Sequence, residues 1–238
     1  MSVFKVLIAG QVFEIETIYA HSLAICRSFL TEGDPAFRIR ITQEDIDFER
    51  KKIGFGSEDL SDRYLEELAL LRKTAENLTD YDTFLMHGAA IAVEHKAYLF
   101  TGKSGTGKST HIFLWKKKLP NAYIVNGDKP FISTGDTPMV YGSPWTGKER
   151  IFTNTAVPLA AVVLMERAEN NEMQRISFAE AFPFLYQQTY RPKDEARLKS
   201  TLCLLKSLET KVAFYRFRFN NFADDCFDVA YQALINGK

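Results

Sequence analysis

The segment that decides the fold begins with Ala97-Tyr98-Leu99-Phe100-Thr101 and continues as Gly102-Lys103-Ser104-Gly105-Thr106-Gly107-Lys108-Ser109-Thr110. Its first part is short and apolar, which predicts a buried strand. Its second part fits the pattern Gly-x-x-x-x-Gly-Lys-Ser in full, and a helix over 108–118 is expected to follow. A glycine-rich turn between a strand and a helix is typical of loops that bind the phosphates of a nucleoside triphosphate.

The residue types in this loop suit phosphate chemistry. Glycines can adopt positive φ, so that backbone N–H groups turn inward around anionic oxygens. Lys108 is expected to reach the β- and γ-phosphates, and the Ser109 hydroxyl is expected to bind Mg²⁺. A chance match in a Gly/Ser-rich turn is the alternative, and the eight-position pattern argues against it. The predicted nucleotide-binding residues are Gly102, Ser104, Gly105, Thr106, Gly107, Lys108, Ser109 and Thr110.

A predicted hairpin places a histidine beside this loop. The apolar segments 88–94 and 97–101 are separated only by His95-Lys96, so they should pair as antiparallel strands. With His95-Lys96 as the two-residue turn, His87 faces Ser104. His87 would then donate to a phosphate oxygen or assist proton transfer, or it would only support the loop by hydrogen bonding.

A carboxylate follows the next predicted strand, 122–126, in Gly127-Asp128. Beside the phosphate loop, such a group could hold Mg²⁺ or its water shell, or take the proton of an attacking hydroxyl. Glu166, which follows a predicted strand over 159–165, is the rival. Gly127 favours Asp128 because it leaves space beside the carboxylate. A turn or an ion pair is the alternative role for either residue.

One further loop reads Gly142-Ser143-Pro144-Trp145-Thr146-Gly147-Lys148-Glu149-Arg150. Its glycines and proline predict a shaped turn. Lys148 and Arg150 supply positive charge for a phosphate or an anionic substrate. An ordinary surface loop with a packed tryptophan is the alternative.

The composition excludes several classes of protein. The 238 residues carry a formal net charge of zero, so a broad electrostatic grip on nucleic acid or an anionic membrane is not expected. Three isolated cysteines, Cys26, Cys203 and Cys226, argue against a disulfide framework or structural zinc. No segment has the ~18–20 uncharged apolar residues of a membrane span, and the N-terminus lacks the apolar length of a signal peptide. We therefore expect a cytoplasmic protein.

The remaining pattern predicts an α/β fold with a mixed sheet. Residues 1–80 are expected to form a small α+β N-terminal subdomain, and residues 81–238 a nucleotide-binding domain. The other predicted strands are 4–9, 12–18, 37–42 and 212–219. The other predicted helices are 21–30, 60–78, 178–189, 194–208 and 223–234, and the second of these has one apolar stripe.

Several of these features together resemble a known family. Met86-His87-Gly88, the hairpin, the 102–110 loop and Asp128 are similar to the catalytic domain of HPr kinase/phosphorylase and the nucleotide domain of ATP-dependent PEP carboxykinase. The small HPr-kinase-like proteins of Firmicutes are more similar, over most of the chain. The segments shared with them are Gly-Lys-Ser-Thr-His at 107–111, Asp128-Lys129-Pro130 and Pro-Trp-x-Gly-Lys at 144–148.

The resemblance implies a P-loop fold of the HPr-kinase/PEP-carboxykinase type and a Mg·ATP-dependent kinase that transfers the γ-phosphate to a hydroxyl of a peptide, a protein or a small molecule. Its catalytic residues would be His87, Lys108 and Asp128, with Ser109 and Asp128 at the metal. Well-characterised members have two consecutive acidic residues where this chain has Gly127-Asp128. The alternative hypothesis is therefore a non-catalytic ATP-binding sensor or regulatory module. A motor or switch ATPase is a third and weaker one, because the hairpin is not part of an all-parallel sheet.

Overall fold

The structure is a computed structural model that describes residues 1–56, 58–220 and 224–235. The chain divides into two compact units, residues 1–81 and 82–238. Within the described ranges, no helix combines the length and the apolar character needed to cross a bilayer.

In the residues that the structure describes, the first unit contains a three-stranded sheet and three α-helices. Strands β1 (Ser2–Ile8) and β2 (Gln11–Thr17) form an antiparallel hairpin, and β3 (Phe37–Arg40) pairs parallel with β2. The helices are α1 (His21–Ile25), α2 (Gln43–Ile53) and α3 (Asp62–Leu78).

Two features of this unit differ from the sequence prediction. The helix predicted over 21–30 ends at Ile25, and a 3₁₀ turn, Arg27–Phe29, follows it. Helix α2 was not predicted. Only Ile46 and Glu49 are buried in it, so it lacks the apolar stripe that would reveal a helix, although a capping box of Thr42 and Asp45 marks its start.

The second unit is built on a nine-stranded mixed sheet. Its strands are β4 (Thr83–Leu85), β5 (Ala89–Val93), β6 (Lys96–Thr101), β7 (Tyr123–Asn126), β8 (Phe131–Ser133), β9 (Met139–Tyr141), β10 (Ala156–Arg167), β11 (Glu172–Ile176) and β12 (Ala213–Phe219). The strand order is β4-β8-β9-β10-β6-β5-β7, with β12 also pairing β10, and β11 pairing β12. The pairs β6–β10 and β10–β12 are parallel and the others antiparallel, which confirms the predicted mixed sheet and α/β class.

Within the described residues of the second unit, four α-helices cover the two faces of this sheet. They are α4 (Lys108–Lys118), α5 (Phe178–Gln188), α6 (Glu195–Ser207) and α7 (Asp224–Leu234). Leu185 of α5 and Leu205 of α6 pack with Leu99 in one core cluster. Trp115 of α4 and Phe227 of α7 pack in the other, with Tyr98 and Phe100. Neighbouring residues of β6 thus enter opposite cores, and the strand is buried on both faces.

The predicted hairpin is present, but its turn lies one residue earlier than predicted. Val93 pairs with Lys96, and the turn is Glu94-His95, with φ of +49° and +64°. Two consecutive positive φ angles suit the twist of a two-residue hairpin. The pairing is shifted by two positions, so the prediction that His87 faces Ser104 is wrong. A shift of two keeps each side chain on its predicted face.

The bounds of the other elements follow the prediction within three residues. Strand β10 is longer than the predicted 159–165 and includes Glu166. The predicted start of the last helix, at residue 223, lies outside the described residues. Strands β4, β8, β9 and β11 were not predicted, and the first three have only three residues each, too few to show a period.

Candidate functional site

The glycine-rich loop connects β6 to α4 in a tight turn. Gly107 has a φ of +106° and is the N-cap of α4. Gly102 packs so closely that an added Cβ would lie 3.1 Å from the Met165 carbonyl oxygen. The Thr106 hydroxyl donates to the Lys103 carbonyl at 2.7 Å, which closes the turn from inside. The strand, loop and helix therefore follow one another as the sequence predicts, and the glycines stand where backbone geometry requires them.

Lys108 is folded into this loop. Its Nζ donates to the Gly102 carbonyl at 3.0 Å and to the Lys103 carbonyl at 3.4 Å, and the residue is buried. Burial lowers the pKa of Lys108, while the charge of Asp128 raises it. The ammonium is thus held at the mouth of the α4 N-terminus, whose first turn contains no acidic residue. Both features favour a bound anion.

The remaining predicted nucleotide-binding residues line the same turn. Ser104 and Gly105 are exposed at its tip, Thr110 is exposed in the first turn of α4, and Ser109 is half-buried beside it. The Ser109 hydroxyl makes no hydrogen bond with another residue in the part of the chain that the structure describes. It is therefore free to meet a ligand from solvent.

The structure brings His87 and Asp128 together. His87 Nε2 lies 3.0 Å from Asp128 Oδ1, and Lys129 Nζ lies 2.8 Å from Asp128 Oδ2. Burial raises the pKa of Asp128, but the hydrogen bond from His87 and the charge of Lys129 outweigh burial and lower the pKa to about 2. Asp128 is therefore an ionised carboxylate at neutral pH. His87 contacts one of its oxygens and Lys129 contacts the other. Sequence reasoning did not identify Lys129 as part of the site.

Backbone pairing explains why these groups meet. Gly88 N donates to the Asp128 carbonyl at 3.0 Å, and Met86 N donates to the Pro130 carbonyl at 3.2 Å. The segment that enters β5 therefore lies along the segment that leaves β7. Because β5 and β7 are antiparallel neighbours, the start of one is beside the end of the other.

A second residue that sequence reasoning missed holds His87 from the opposite side. Gln188, at the end of α5, has its Oε1 2.9 Å from His87 Nδ1. Its backbone carbonyl accepts from His87 N at 2.8 Å. The two residues are distant in sequence, and no local pattern around Gln188 indicates the contact.

Asn126 is a third missed residue, and it fixes the segment that carries Asp128. It is fully buried at the end of β7. Its Oδ1 accepts from Asp128 N at 2.8 Å and from Lys129 N at 2.7 Å. Its Nδ2 donates to the carbonyls of Ser143 and Trp145, each at 3.2 Å. An asparagine before Gly-Asp at the end of an apolar strand is a signal for such a turn, and it could have been used.

The 142–150 loop passes directly against Asp128. A Cβ added to Gly147 would lie 3.4 Å from Asp128 Cβ and 3.2 Å from Glu149 Oε2. The Glu149 carboxylate and the Asp128 side chain therefore flank the same side of Gly147. Lys148 and Arg150 are exposed, and their side chains form no ion pair within the described ranges. Trp145 is buried and packs edge-on against Phe131, as the alternative interpretation of this loop expected.

Glu166 lies in a different environment. It belongs to β10 rather than following a strand, and its carboxylate is 3.6 Å from Arg216 Nε and 3.9 Å from Arg218 Nε. Both arginines are on β12, the parallel neighbour of β10. Glu166 is thus partnered by arginines, whereas Asp128 is joined to His87 and interacts electrostatically with Lys108.

Comparisons with known proteins identify no relative by sequence. No protein-family model matches the chain, and no curated protein matches it. Among solved structures, 44 chains match. One is the Hpr(Ser) kinase/phosphatase from Coxiella burnetii, with 9% sequence identity and a TM-score of 0.38, covering 64% of this chain and 95% of that chain. A likeness at this level concerns the fold at most, so the chemistry must be argued from the residues described above.

Proposed function

We propose that this protein is a Mg·ATP-dependent phosphotransferase that transfers the γ-phosphate to a hydroxyl of a peptide, a protein or a small molecule. One observation supports it most strongly. A buried lysine inside a glycine-rich strand–helix loop interacts electrostatically with an ionised aspartate that is hydrogen-bonded to a histidine. An anion cradle alone would only bind phosphates, whereas a carboxylate and an imidazole beside it can hold a metal and move a proton.

Phosphate binding would use the loop and its lysine. The Lys108 ammonium, now donating to the Gly102 and Lys103 carbonyls, would turn to the β- and γ-phosphate oxygens. Backbone N–H groups of the loop and of the first turn of α4 would donate to the same phosphates. The Lys108 ammonium is partly desolvated, and this strengthens its attraction for an anion.

The residues present fit a magnesium ion that is shared with the nucleotide. The Ser109 hydroxyl and the Asp128 carboxylate are hard oxygen donors of the kind that Mg²⁺ prefers. Among the described residues, no group of three or more His, Cys, Asp or Glu side chains could hold a metal. Ser109 and Asp128 would hold Mg²⁺ only together with phosphate oxygens of the nucleotide, and the ion would neutralise charge on the transferred group.

Asp128 and His87 would handle the proton of the acceptor. The acceptor oxygen forms a bond to the γ-phosphorus, the bond from that phosphorus to the β–γ bridging oxygen breaks, and ADP leaves. The hydroxyl proton passes to the Asp128–His87 pair. A carboxylate with a pKa of about 2 is a weak base, so this proton would move late, after bond cleavage to ADP has begun. Such timing suits a loose transition state.

A non-catalytic ATP sensor is the second candidate, and one observation favours it. Both oxygens of Asp128 are already engaged, by His87 and by Lys129. If these contacts persist when the nucleotide binds, Asp128 has no oxygen left for a metal or for an acceptor proton.

Transfer of label from γ-labelled ATP separates these two functions. The purified chain would be incubated with Mg²⁺ and, in turn, with hydroxyl-bearing peptides, proteins and small molecules. The proposed function predicts label on at least one class of acceptor. ATP binding without transfer to any of them, under conditions where binding is saturated, would favour the sensor. The Lys108→Ala variant is the negative control, because it should lose ATP binding.

A further inference from the structure

The residues after α5 lie along the segment that contains His87. His87 N donates to the Gln188 carbonyl at 2.8 Å, and Tyr190 N donates to the Leu85 carbonyl at 2.9 Å. Met86 and Thr189 form an antiparallel bridge between them. The backbone of His87 is therefore held against the end of α5.

The side chain of Gln188 adds a contact at the imidazole itself. Its Oε1 lies 2.9 Å from His87 Nδ1, while His87 Nε2 lies 3.0 Å from Asp128 Oδ1. The ring is thus bound at both nitrogens. An imidazole held at one nitrogen keeps freedom to rotate, whereas a partner at the second nitrogen sets the orientation of the ring.

This contact is not required to end the helix. Thr189 N donates to the Leu185 carbonyl at 2.9 Å, and the Thr189 hydroxyl donates to the same carbonyl at 2.8 Å. These bonds complete the C-terminal turn of α5 without the side chain of Gln188. The preceding residue, Gln187, has the same side chain and is exposed.

We propose that Gln188 is a positioning residue that orients His87 toward Asp128 for phosphoryl transfer. The proposal rests on the proposed function. Gln188 acts only through His87, so its loss should lower kcat and leave the affinity for ATP unchanged. Misplacing a catalytic group by about 1 Å can cost about 100-fold in rate, so a loss of about 10-fold to 100-fold is expected when the ring is free to rotate.

The test compares three variants with the wild-type chain. Gln188→Met removes the polar atom and keeps the length of the side chain, Gln188→Glu keeps an acceptor oxygen, and Gln187→Met makes the same change one residue away. The kcat and the KM for ATP would be measured by label transfer. We expect Gln188→Met to lose kcat without a change in KM, Gln188→Glu to retain more kcat than Gln188→Met because it keeps the acceptor oxygen, and Gln187→Met to stay within about threefold of wild type.

A second measurement does not depend on activity. The chain has four histidines, so the ring resonances of His87 can be assigned in an NMR spectrum from a His87→Ala variant. Gln188→Met should shift these resonances and Gln187→Met should not.

Three outcomes would overturn the proposal. If wild-type protein transfers label and Gln188→Met retains full kcat, Gln188 does not position His87, and the proposed function stands. If Gln188→Met and Gln187→Met lose activity equally, the effect belongs to α5 in general. If the wild-type chain transfers no label, the proposed function and this inference fail together, even where the NMR contact is present.

Discussion

His87 Nε2 and Asp128 Oδ1 lie 3.0 Å apart, and this contact joins the residues that flank two antiparallel strands, β5 and β7. Through Asp128, this pair is linked electrostatically to Lys108 of the glycine-rich loop. Because the Asp128 carboxylate is ionised and also interacts with Lys108, the groups that would bind phosphate and the groups that would move a proton belong to one electrostatic site.

Conservative amide variants can distinguish the roles of the two candidate carboxylates, Asp128 and Glu166. Asp128→Asn should keep ATP binding and lower transfer at least 100-fold, within the range of about 10²–10⁴ that a general base contributes. Glu166→Gln is the matched control and should leave transfer unchanged, because Glu166 is paired with Arg216 and Arg218. Loss of transfer in Glu166→Gln, with full activity in Asp128→Asn, would reverse the assignment.

Glu149 should affect the metal requirement. Its carboxylate flanks Gly147 beside Asp128, whose own oxygens are both paired, so it adds negative potential where a cation would bind. Glu149→Gln should raise the Mg²⁺ concentration needed for half-maximal transfer several-fold and leave kcat nearly unchanged. A Mg²⁺ titration of the transfer rate measures both quantities. An unchanged titration curve would exclude Glu149 from the metal site.

The loop depends on glycine at position 107. Its φ of +106° is strained for any residue with a side chain, at a cost of about 1–2 kcal/mol. If the loop opens to relieve this strain, Gly107→Ala should weaken ATP binding by about 5-fold to 30-fold, as calorimetry can measure. Gly135→Ala is the control, because no atom lies within 4 Å of an added Cβ there. Equal ATP affinity in both variants would show that the loop geometry is not needed for binding.

His111 should make the fold sensitive to mild acid. It is fully buried, and burial lowers its pKa from 6.5 to about 3. Its Nε2 accepts from Trp115 Nε1 at 2.9 Å, a bond that protonation would break. Because the folded pKa is depressed, the stabilisation is complete above pH 6.5 and is lost as the pH falls toward 3. The loss is about 2 kcal/mol between pH 6.5 and pH 5.

Urea unfolding at several pH values would measure this effect. The His111→Gln variant should be less stable near neutral pH, and its free energy of unfolding should vary less with pH than that of wild type. Parallel pH dependence in the two proteins would show that other groups cause the acid sensitivity.

The three thiols should differ in reactivity. Cys203 is exposed, whereas Cys26 and Cys226 are buried and burial raises the pKa of each to about 12. The thiolate is the reactive form. A thiol reagent should therefore modify one cysteine in the folded protein and three after unfolding, and none in folded Cys203→Ser. Rapid modification of Cys226 in the native protein would contradict the packing of α7 against α4.

The sequence predicts the local part of this site better than the non-local part. The strand, the glycine loop and the helix are contiguous, so one pattern with its spacing indicates all three. The hairpin is evident from two apolar runs, but its turn was misplaced by one residue, because nothing in Glu94-His95-Lys96 shows which pair adopts positive φ. Asn126 has a local signal in Asn-Gly-Asp, since its side chain accepts from Asp128 N two residues on. Gln188 could not be assigned, since its contact with His87 depends on where separate elements meet in space.

The most direct test of the central claim is a paired measurement on wild-type protein and Asp128→Asn. Both would be saturated with γ-labelled ATP and Mg²⁺ in the presence of acceptors of each hydroxyl class, and both bound nucleotide and transferred label would be counted. The proposed function predicts that the two proteins bind the nucleotide equally. It also predicts that only the wild-type protein transfers label to an acceptor. Equal binding with no transferred label in either protein would contradict it.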